Sequence, residues 1–183
     1  SHKLNDYMTP LELCHLIIHT QKKYARQLEK HIAFSTDISA RLPELHAYTI
    51  LSILNNLTAN AIEAIRDRGT IAISMKRMST DLHLEVSNTG SSIPLRRLKQ
   101  IFRPGYTTKY DSDGRASSGV GLTYIKALAE HLGGSITAAS DGKDSVTFHV
   151  TLPLNGLTTH PVTKIPAIRQ ADDAPPQQKG TIS

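Results

Sequence analysis

The sequence predicts a two-layer α/β sandwich, in which a mixed, mostly antiparallel sheet of about five strands packs against three helices. Three segments repeat apolar residues at helical spacing, and five shorter segments have the apolar, alternating pattern of strands. The strands come partly as hairpins and do not alternate regularly with helices. This order argues against a doubly wound parallel sheet and favours separate layers of helices and strands.

The composition is that of a globular domain with an aliphatic core. Hydrophobic residues make up 39% and charged residues 20% of the 183 residues, whereas aromatic residues are only 5% and Trp is absent. No apolar run approaches the roughly 20 residues that span a membrane, so we expect no membrane contact by this domain. The formal charge of +5 comes from scattered Lys and Arg, without a basic block or an aromatic stacking motif, which predicts no nucleic-acid binding. The single Cys14 excludes an internal disulfide and is expected to be a buried thiol.

We divide the chain into three parts. Residues 1–8 are interpreted as the end of an upstream helical or linker region, or as a cloning remnant, because the chain starts without a Met. Residues 9–154 contain all the predicted helices and strands and are expected to form one folded domain. Residues 155–183 are rich in Pro, Thr, Gln and charged residues, which predicts a disordered C-terminal tail.

Local signals mark the ends of the predicted elements. The first helix begins with Thr9 as its cap and Glu12 completing a capping box. Gly133-Gly134 ends the last helix, and Asp141-Gly142 is typical of a hairpin between the final strands. The predicted elements are helix 9–31, strand 32–38, helix 46–66, strands 70–76 and 81–87, a short helix 95–102, helix 120–132, and strands 135–139 and 145–152. Residues 103–118 have little apolar content and are interpreted as a long mobile loop of functional importance.

Asn56 and Asn60 are the first candidate site residues. They are four apart in the long apolar helix, so they lie on one face of it. Asn is a poor helix former and a poor core residue, so such a pair indicates a ligand. Two amide oxygens one turn apart can hold Mg²⁺, directly or through its waters. Taken alone, the pair is better explained by one exposed Asn and one Asn in a core hydrogen bond.

A second candidate segment covers residues 86–94. It places the small polar side chain of Asn88 at the end of a strand, and Gly90 then frees the backbone. Such a position could recognise the edge of an adenine, although the segment taken alone is better explained as an ordinary turn.

Two glycine-rich or hydroxyl-rich segments suit phosphate oxygens. Residues 117–122 lead through two Gly residues into a helix, where the backbone can approach an anion and the first N–H groups point at it. Residues 101–109 place two hydroxyls and Lys109 before the mobile loop. Each segment alone is also typical of a solvated loop.

In their order and spacing, these four segments resemble the nucleotide-binding boxes of the ATPases shared by histidine kinases, gyrase, heat-shock chaperones and mismatch-repair proteins. The resemblance covers about residues 9–154. The matches are Asn56-Leu57-x-x-Asn60-Ala61, Ile101-Phe102-x-Pro104-x-x-Thr107-Thr108-Lys109, and Gly119-Val120-Gly121-Leu122 followed by Ile125 and Gly133-Gly134. The second and third of these are similar to histidine kinases in particular. The resemblance implies the Bergerat fold, with a mobile ATP lid between Lys109 and Ser118.

The resemblance further implies the ATP-binding catalytic domain of a bacterial sensor histidine kinase, with ATP and Mg²⁺ as cofactors. Asn60 matches the direct Mg²⁺ ligand. Asn56 matches the position of a Glu base in hydrolysing relatives, and an Asn there fits a kinase that keeps the γ-phosphate for a His. Asn56 and Asn60 are therefore the implied catalytic and metal-binding residues. The implied nucleotide-binding residues are Asn56, Asn60, Glu63, Asn88, Gly90, Ile93, Thr107, Thr108, Lys109, Ser118, Gly119, Val120, Gly121 and Leu122.

Three positions depart from the family pattern. Asn88 stands where the family usually has an Asp, and Ser92 and Ser117 stand where it has Gly. The Asn88 carbonyl oxygen can still accept a hydrogen bond from adenine, but it lacks the negative charge. Weaker nucleotide binding is consistent with these changes, so an inactive ATP-binding relative stays an alternative.

The phosphoacceptor is expected to lie upstream of this chain. His2 is the nearest candidate, but about 54 residues separate it from Asn56, too few for a two-helix hairpin plus the elements already assigned. The resemblance implies that the partners are the dimerisation and phosphoacceptor helices of the same full-length protein, acting as a homodimer, and a response regulator. It also implies a cytoplasmic location.

Two other functions remain open from the sequence. One is a nucleotide-binding regulatory module or pseudokinase that holds a protein partner. The other is a Ser/Thr kinase of the anti-sigma type, which shares the boxes but needs no His hairpin. The long first helix favours the histidine kinases, and Asn56 in place of a base disfavours gyrase-like and mismatch-repair ATPases.

Overall fold

A computed structural model describes residues 6–105 and 120–164. The elements are β1 (Tyr7–Met8), α1 (Pro10–Gln27), β2 (His31–Ile38), β3 (Leu45–His46), α2 (Ala47–Ala64), β4 (Arg68–Met78), β5 (Asp81–Thr89), α3 (Val120–His131), β6 (Ser135–Ser140) and β7 (Ser145–Pro153), with one turn of 3-10 helix over Leu95–Arg97. Residues 106–119, which include the whole predicted lid between Lys109 and Ser118, lie outside the described residues. Among the described residues, no helix combines the length and the apolar character that a membrane span requires.

The main sheet has five strands in the order β2-β4-β5-β7-β6. β2 runs parallel to β4, and every other neighbouring pair is antiparallel. β1 and β3 form a separate two-stranded pair. The predicted mixed, mostly antiparallel sheet of about five strands is confirmed.

The core lies between one face of this sheet and the helices. Leu82, Leu84 and Val86 alternate along β5 and are buried, as the period of two residues along a strand requires. They face a helix layer in which α2 contacts α1 on one side and α3 on the other. Ile53 and Leu57 of α2 are completely buried. Each such side chain stabilises the fold by roughly 1.5–3 kcal/mol, so the apolar character of α2 makes it the central helix.

The first helix starts as predicted but ends earlier. Thr9 is the N-cap, and its hydroxyl accepts a hydrogen bond from the Glu12 amide at 3.2 Å. The helix ends at Gln27 and not near residue 31, because Glu29 adopts a left-handed conformation with φ of 58°. The Lys30 amide then donates to the Ala25 carbonyl and closes the helix end, so the chain enters β2 at His31.

Other boundaries differ from the prediction where tertiary pairing extends an element. β5 continues through Asn88 and Thr89 because both residues pair with β7. The predicted short helix 95–102 is a single 3-10 turn, Leu95–Arg97. β1 and β3 were not predicted, since two-residue strands leave no periodic signal.

Part of the predicted tail packs against the domain. Leu157 is buried, and its carbonyl accepts a hydrogen bond from the His46 amide at 2.7 Å. Thr163 accepts one from the Arg77 guanidinium at 2.8 Å. Residues 155–164 therefore pack against the domain although their composition is polar. The buried Leu157 side chain and hydrogen bonds to backbone carbonyls attach them.

Candidate functional site

The contact between α2 and α3 forms the centre of the site. α2 has Asn56 near its middle, and α3 has Gly121 in its first turn. A Cβ atom at Gly121 would lie 3.2 Å from Asn56 Oδ1, closer than an ordinary van der Waals contact. The absence of a side chain lets the two helices approach each other here. Two segments that are far apart in the chain, and that were predicted separately, are thereby brought together.

The orientation of the Asn56 amide is fixed by its own helix. Nδ2 donates to the Ser52 carbonyl at 2.8 Å. A carbonyl oxygen can only accept, so the other amide atom, Oδ1, must be the one that faces Gly121. Asn60 is half-buried one turn further along the same face. The Asn56 amide oxygen therefore lies beside the amino end of α3, and the amino end of a helix favours an anion.

Asn88 is a buried polar residue on the helix-facing side of β5. Its exposed fraction is 5%. Nδ2 donates to the Thr89 carbonyl at 3.2 Å and to Ser91 Oγ at 2.7 Å. Because the Thr89 carbonyl cannot donate, this orientation of the amide is fixed. Among the described residues, nothing donates to Asn88 Oδ1, which leaves a buried acceptor for a donor from outside the chain.

The loop after β5 is held by the β6–β7 hairpin. The Gly90 amide donates to the backbone carbonyl of Asp144 at 3.0 Å and to its Oδ1 at 3.1 Å. The Ile93 amide donates to Ser140 Oγ at 3.1 Å. Gly90 has φ of +88°, and a Cβ there would lie 2.3 Å from the Arg68 carbonyl, so only Gly fits. Gly90 and Ile93 thus have a structural role in fixing the loop beside Asn88.

The comparison with protein families decides what this arrangement is. The model of the histidine kinase-, DNA gyrase B- and HSP90-like ATPases matches residues 46–156, which include α2, Asn88 and α3. The chain belongs to this ATPase family. The resemblance seen in the four separate segments is confirmed.

The relatives of this ATPase domain are sensor histidine kinases. GlnK of Bacillus subtilis (strain 168), a sensor histidine kinase, is 36% identical over 155 residues, which are 84% of this chain and 38% of GlnK. The sensor histidine kinase ZraS of Escherichia coli (strain K12) is 31% identical over 155 residues, 80% of this chain and 32% of ZraS. Among solved structures, the catalytic domain of histidine kinase ThkA is 28% identical with a TM-score of 0.65, covering 80% of this chain and 95% of that domain. The chain therefore spans about a third of the length of these two curated relatives.

ATP is the nucleotide that the family implies, and two features of the ATPase domain fit it. The buried Asn88 Oδ1 is an acceptor of the kind that an adenine amino group needs. Gly121 puts no side chain between the first turn of α3 and Asn56, and a helix start of this kind suits phosphate oxygens. The two features lie on different elements, as the two ends of a nucleotide require.

The structure describes nine of the fourteen implied nucleotide-binding residues. The first turn of α3 contains Val120, Gly121 and Leu122, and Leu122 packs partly against the core. The other five, Thr107, Thr108, Lys109, Ser118 and Gly119, lie outside the described residues.

Glu63 follows Asn56 by seven residues, about two turns of α2, and its carboxylate contacts α1. Its Oε1 accepts a hydrogen bond from the Tyr24 hydroxyl at 3.1 Å, and it lines a groove of about 440 Å³ between α1 and α2. Burial, followed by the charge and hydrogen bond of Glu63, raises the pKa of Tyr24. Glu63 is thus engaged with Tyr24 of α1.

Sequence reasoning missed Gln21, which ties α1 to the middle of α2. Gln21 is 2% exposed, and its Nε2 lies 2.9 Å from Thr58 Oγ1, 3.2 Å from Asn55 Oδ1 and 3.3 Å from the Asn55 carbonyl. All three atoms accept hydrogen bonds from the side-chain amide of Gln21. This amide therefore holds α2 at Asn55, the residue before Asn56. The one available signal was a Gln within the apolar stripe of the first helix.

Proposed function

We propose that this chain is the ATP-binding catalytic domain of a sensor histidine kinase, which binds ATP with Mg²⁺ and donates the γ-phosphate to a His on an upstream dimerisation hairpin. The observation that supports this most directly is the 3.2 Å approach of the Gly121 position to Asn56 Oδ1 at the start of α3. The relatives GlnK and ZraS are sensor histidine kinases, and the ThkA domain is a catalytic domain. The regulatory-module and anti-sigma alternatives are not favoured by these relatives.

The adenine end of the nucleotide is assigned to β5 and the loop after it. In this assignment, Asn88 Oδ1 accepts a hydrogen bond from the amino group of the base. Gly90 and Ile93 hold the loop in place through their amides, which donate to Asp144 and Ser140. The base thereby lies at the end of β5, and the phosphates extend towards α3.

The phosphate end is assigned to α2 and to the segment that leads into α3. Asn60, with Asn56 beside it, holds Mg²⁺ through amide oxygens, and the ion supplies charge neutralisation for the phosphates. Because an amide cannot accept a proton as a base does, Asn56 positions and does not activate water. The amides at Gly119, Val120, Gly121 and Leu122 are assigned to the phosphates, as are Thr107, Thr108, Lys109 and Ser118. Glu63 is retained only as an outer neighbour of the phosphates, since Tyr24 engages its carboxylate.

The partners are assigned to the rest of the protein and to its signalling pathway. The phosphoacceptor helices belong to the same full-length chain in a homodimer, and a response regulator receives the phosphate from the His. ATP is abundant in the cytoplasm, which is the compartment we assign to the domain. Joining this domain to its upstream hairpin is expected to give acid-labile, base-stable phosphate on a His.

The test compares nucleotide binding in matched Asn variants. Asn60→Ala is expected to weaken binding of ATP by at least about 10-fold in the presence of Mg²⁺, and far less in its absence, because it removes a metal ligand. Asn55→Ala is the control. Asn55 lies next to Asn56 in the chain, but it is exposed and its side chain contacts Gln21 of α1. Isothermal titration calorimetry with ATP and MgCl₂ measures both. No binding at millimolar ATP, or equal loss in the two variants, would contradict the proposal.

A further inference from the structure

The outer face of the sheet has a cluster of three side chains that the nucleotide site does not use. The cluster lies on β5 and β7, whose opposite faces pack against the helices. His83 Nδ1 lies 3.0 Å from His149 Nε2, and His149 Nδ1 lies 2.8 Å from Glu85 Oε1. Glu85 is the register partner of His149, and His83 is two residues before Glu85 on the same strand. The three side chains therefore share the solvent-facing side of two adjacent strands.

We propose that His83 and His149 bind a divalent transition-metal ion such as Zn²⁺, and that Glu85 orients His149 for this role. Two nitrogen ligands at the usual Zn–N distance in a tetrahedral site lie about 3.3 Å apart. The two imidazole nitrogens are 3.0 Å apart, so a small rotation of the rings makes room for an ion between them. Imidazole suits Zn²⁺, Cu²⁺ and Ni²⁺, whereas Mg²⁺ prefers oxygen, so this site is chemically distinct from the one on α2.

The carboxylate of Glu85 is placed as the outer partner of a metal-binding His usually is. A carboxylate only accepts, so Nδ1 of His149 carries the proton and Nε2 presents its lone pair towards His83. Without metal, His83 donates its Nδ1 proton to that lone pair. On binding, this proton moves through solvent to Nε2 of His83, so both rings stay neutral and no net proton is released.

The residues around the cluster leave it partly open to water and add little positive charge that would repel a metal ion. The His149 and Glu85 side chains are 32% and 45% exposed, so water can complete the coordination shell. Lys76 on β4 is the register partner of His83, but its ammonium is paired with Asp37 at 2.6 Å. No group of three or more His, Cys, Asp or Glu among the described residues could hold a metal. The ion therefore has two protein ligands, and its binding is weaker than in a closed four-ligand site.

The test is a calorimetric titration of ZnCl₂ into the whole 183-residue chain with excess Mg²⁺ and no nucleotide. The pH is set about one unit above the ordinary imidazole pKa of about 6.5, so that protons do not compete. We expect one Zn²⁺ per chain, and at least about 10-fold weaker binding in His83→Gln and in His149→Gln. Glu85→Gln is also expected to weaken binding by about 10-fold, because the outer partner is lost.

A second pair of His residues provides the matched control. His15 and His19 lie one turn apart on exposed positions of α1 and are the obvious competing site. The double variant His15→Gln, His19→Gln is expected to bind Zn²⁺ as the unchanged chain does. Loss of binding in this variant, or unchanged binding in His149→Gln, would overturn the inference. ATP titrations of the same variants distinguish the two proposals. Failure to bind ATP would contradict the proposed function, but it would leave the inferred Zn²⁺ site unaffected.

Discussion

At the scale of single residues, hydrogen-bond geometry determines what Asn88 contributes. Both amide protons are used within the chain, on the Thr89 carbonyl and the Ser91 hydroxyl. An Asp at this position would place an acceptor against the Thr89 carbonyl, which is also an acceptor. The loop after β5 is therefore adapted to an Asn, and the departure from the family pattern has a local structural reason.

This geometry predicts the sign of a substitution towards the family pattern. Asn88→Asp is expected to destabilise the domain by about 1–3 kcal/mol, since it buries a charge and loses the hydrogen bond donated to the Thr89 carbonyl. Asn55→Asp is the matched control and should change stability by no more than about 0.5 kcal/mol, because Asn55 is exposed and its side chain only accepts from Gln21. Urea denaturation measures both variants. A stabilised Asn88→Asp protein would show that the orientation of the amide is wrong.

At the scale of elements, a buried hydrogen bond from Gln21 of α1 to Thr58 helps to position α2. The Gln21 amide reaches Thr58 Oγ1, which in turn donates to the Leu54 carbonyl at 2.6 Å. The hydroxyl proton is therefore already used, and Oγ1 must accept from Gln21. This contact fixes the register of the two helices next to Asn56.

A double-mutant cycle tests that contact. Gln21→Met keeps the approximate shape but removes the donor, and is expected to cost about 1–2 kcal/mol. Adding Thr58→Val removes the partner as well, so the double variant should lose less than the sum of the two single variants. Free energies of unfolding from urea denaturation give the coupling. Strict additivity would mean that the two side chains act independently.

The β6–β7 hairpin gives the domain a defined response to acid. Amides of Lys143, Asp144 and Ser145 donate to Asp141 Oδ1 at 2.8, 2.9 and 3.0 Å. These bonds, with the one from Lys143 the largest, lower the pKa of Asp141 from 3.8 to about 2. Since the pKa in the folded state is the lower one, the stabilisation is present above the unfolded value. It is lost as the pH falls towards about 2.

Asp141→Asn is accordingly expected to lower the urea midpoint more at a pH of about 5 than at a pH of about 3. The midpoints of the variant and the unchanged chain should converge as the pH falls. The same hairpin holds Gly90 through Asp144, so ATP affinity should also fall in the variant. An equal difference in midpoint at both pH values would contradict this account.

At the scale of the whole molecule, the helices and the sheet share one hydrophobic core. Cys14 has no exposed surface, and burial raises the pKa of its thiol to about 12. The thiolate is the reactive form, so a thiol reagent reaches it only after the structure opens. The prediction that Cys14 is a buried thiol is confirmed, and the reactivity of this thiol can be measured.

Labelling of Cys14 is expected to follow global unfolding. Leu57→Ala removes a completely buried side chain of α2 and should cost about 2–5 kcal/mol. If α1 and α2 open together, the rate of labelling by a coloured disulfide reagent should rise with that loss of stability. Fast labelling that is insensitive to Leu57→Ala would show that α1 opens alone.

The sequence by itself determined the elements of this protein and the types of residue at its site. Apolar spacing placed α2, alternation placed β5, and the Thr9 cap began α1, because these features depend on near neighbours with fixed periods of 3.6 and 2 residues. The pairs of Asn and Gly residues could be recognised by type and order alone. What the sequence predicts for residues 106–119 and 165–183 stays a prediction, since the structure does not describe these residues.

Only the tertiary structure decided which side chains meet. The approach of Gly121 to Asn56, the bonds from Gln21 to α2, and the pairing of His83 with His149 all join residues far apart in the chain. Such contacts follow from the order of strands and the packing of helices on one face, which no local pattern specifies. For the same reason the left-handed Glu29 and the buried Leu157 were missed: the energy that fixes them comes from packing against the finished domain.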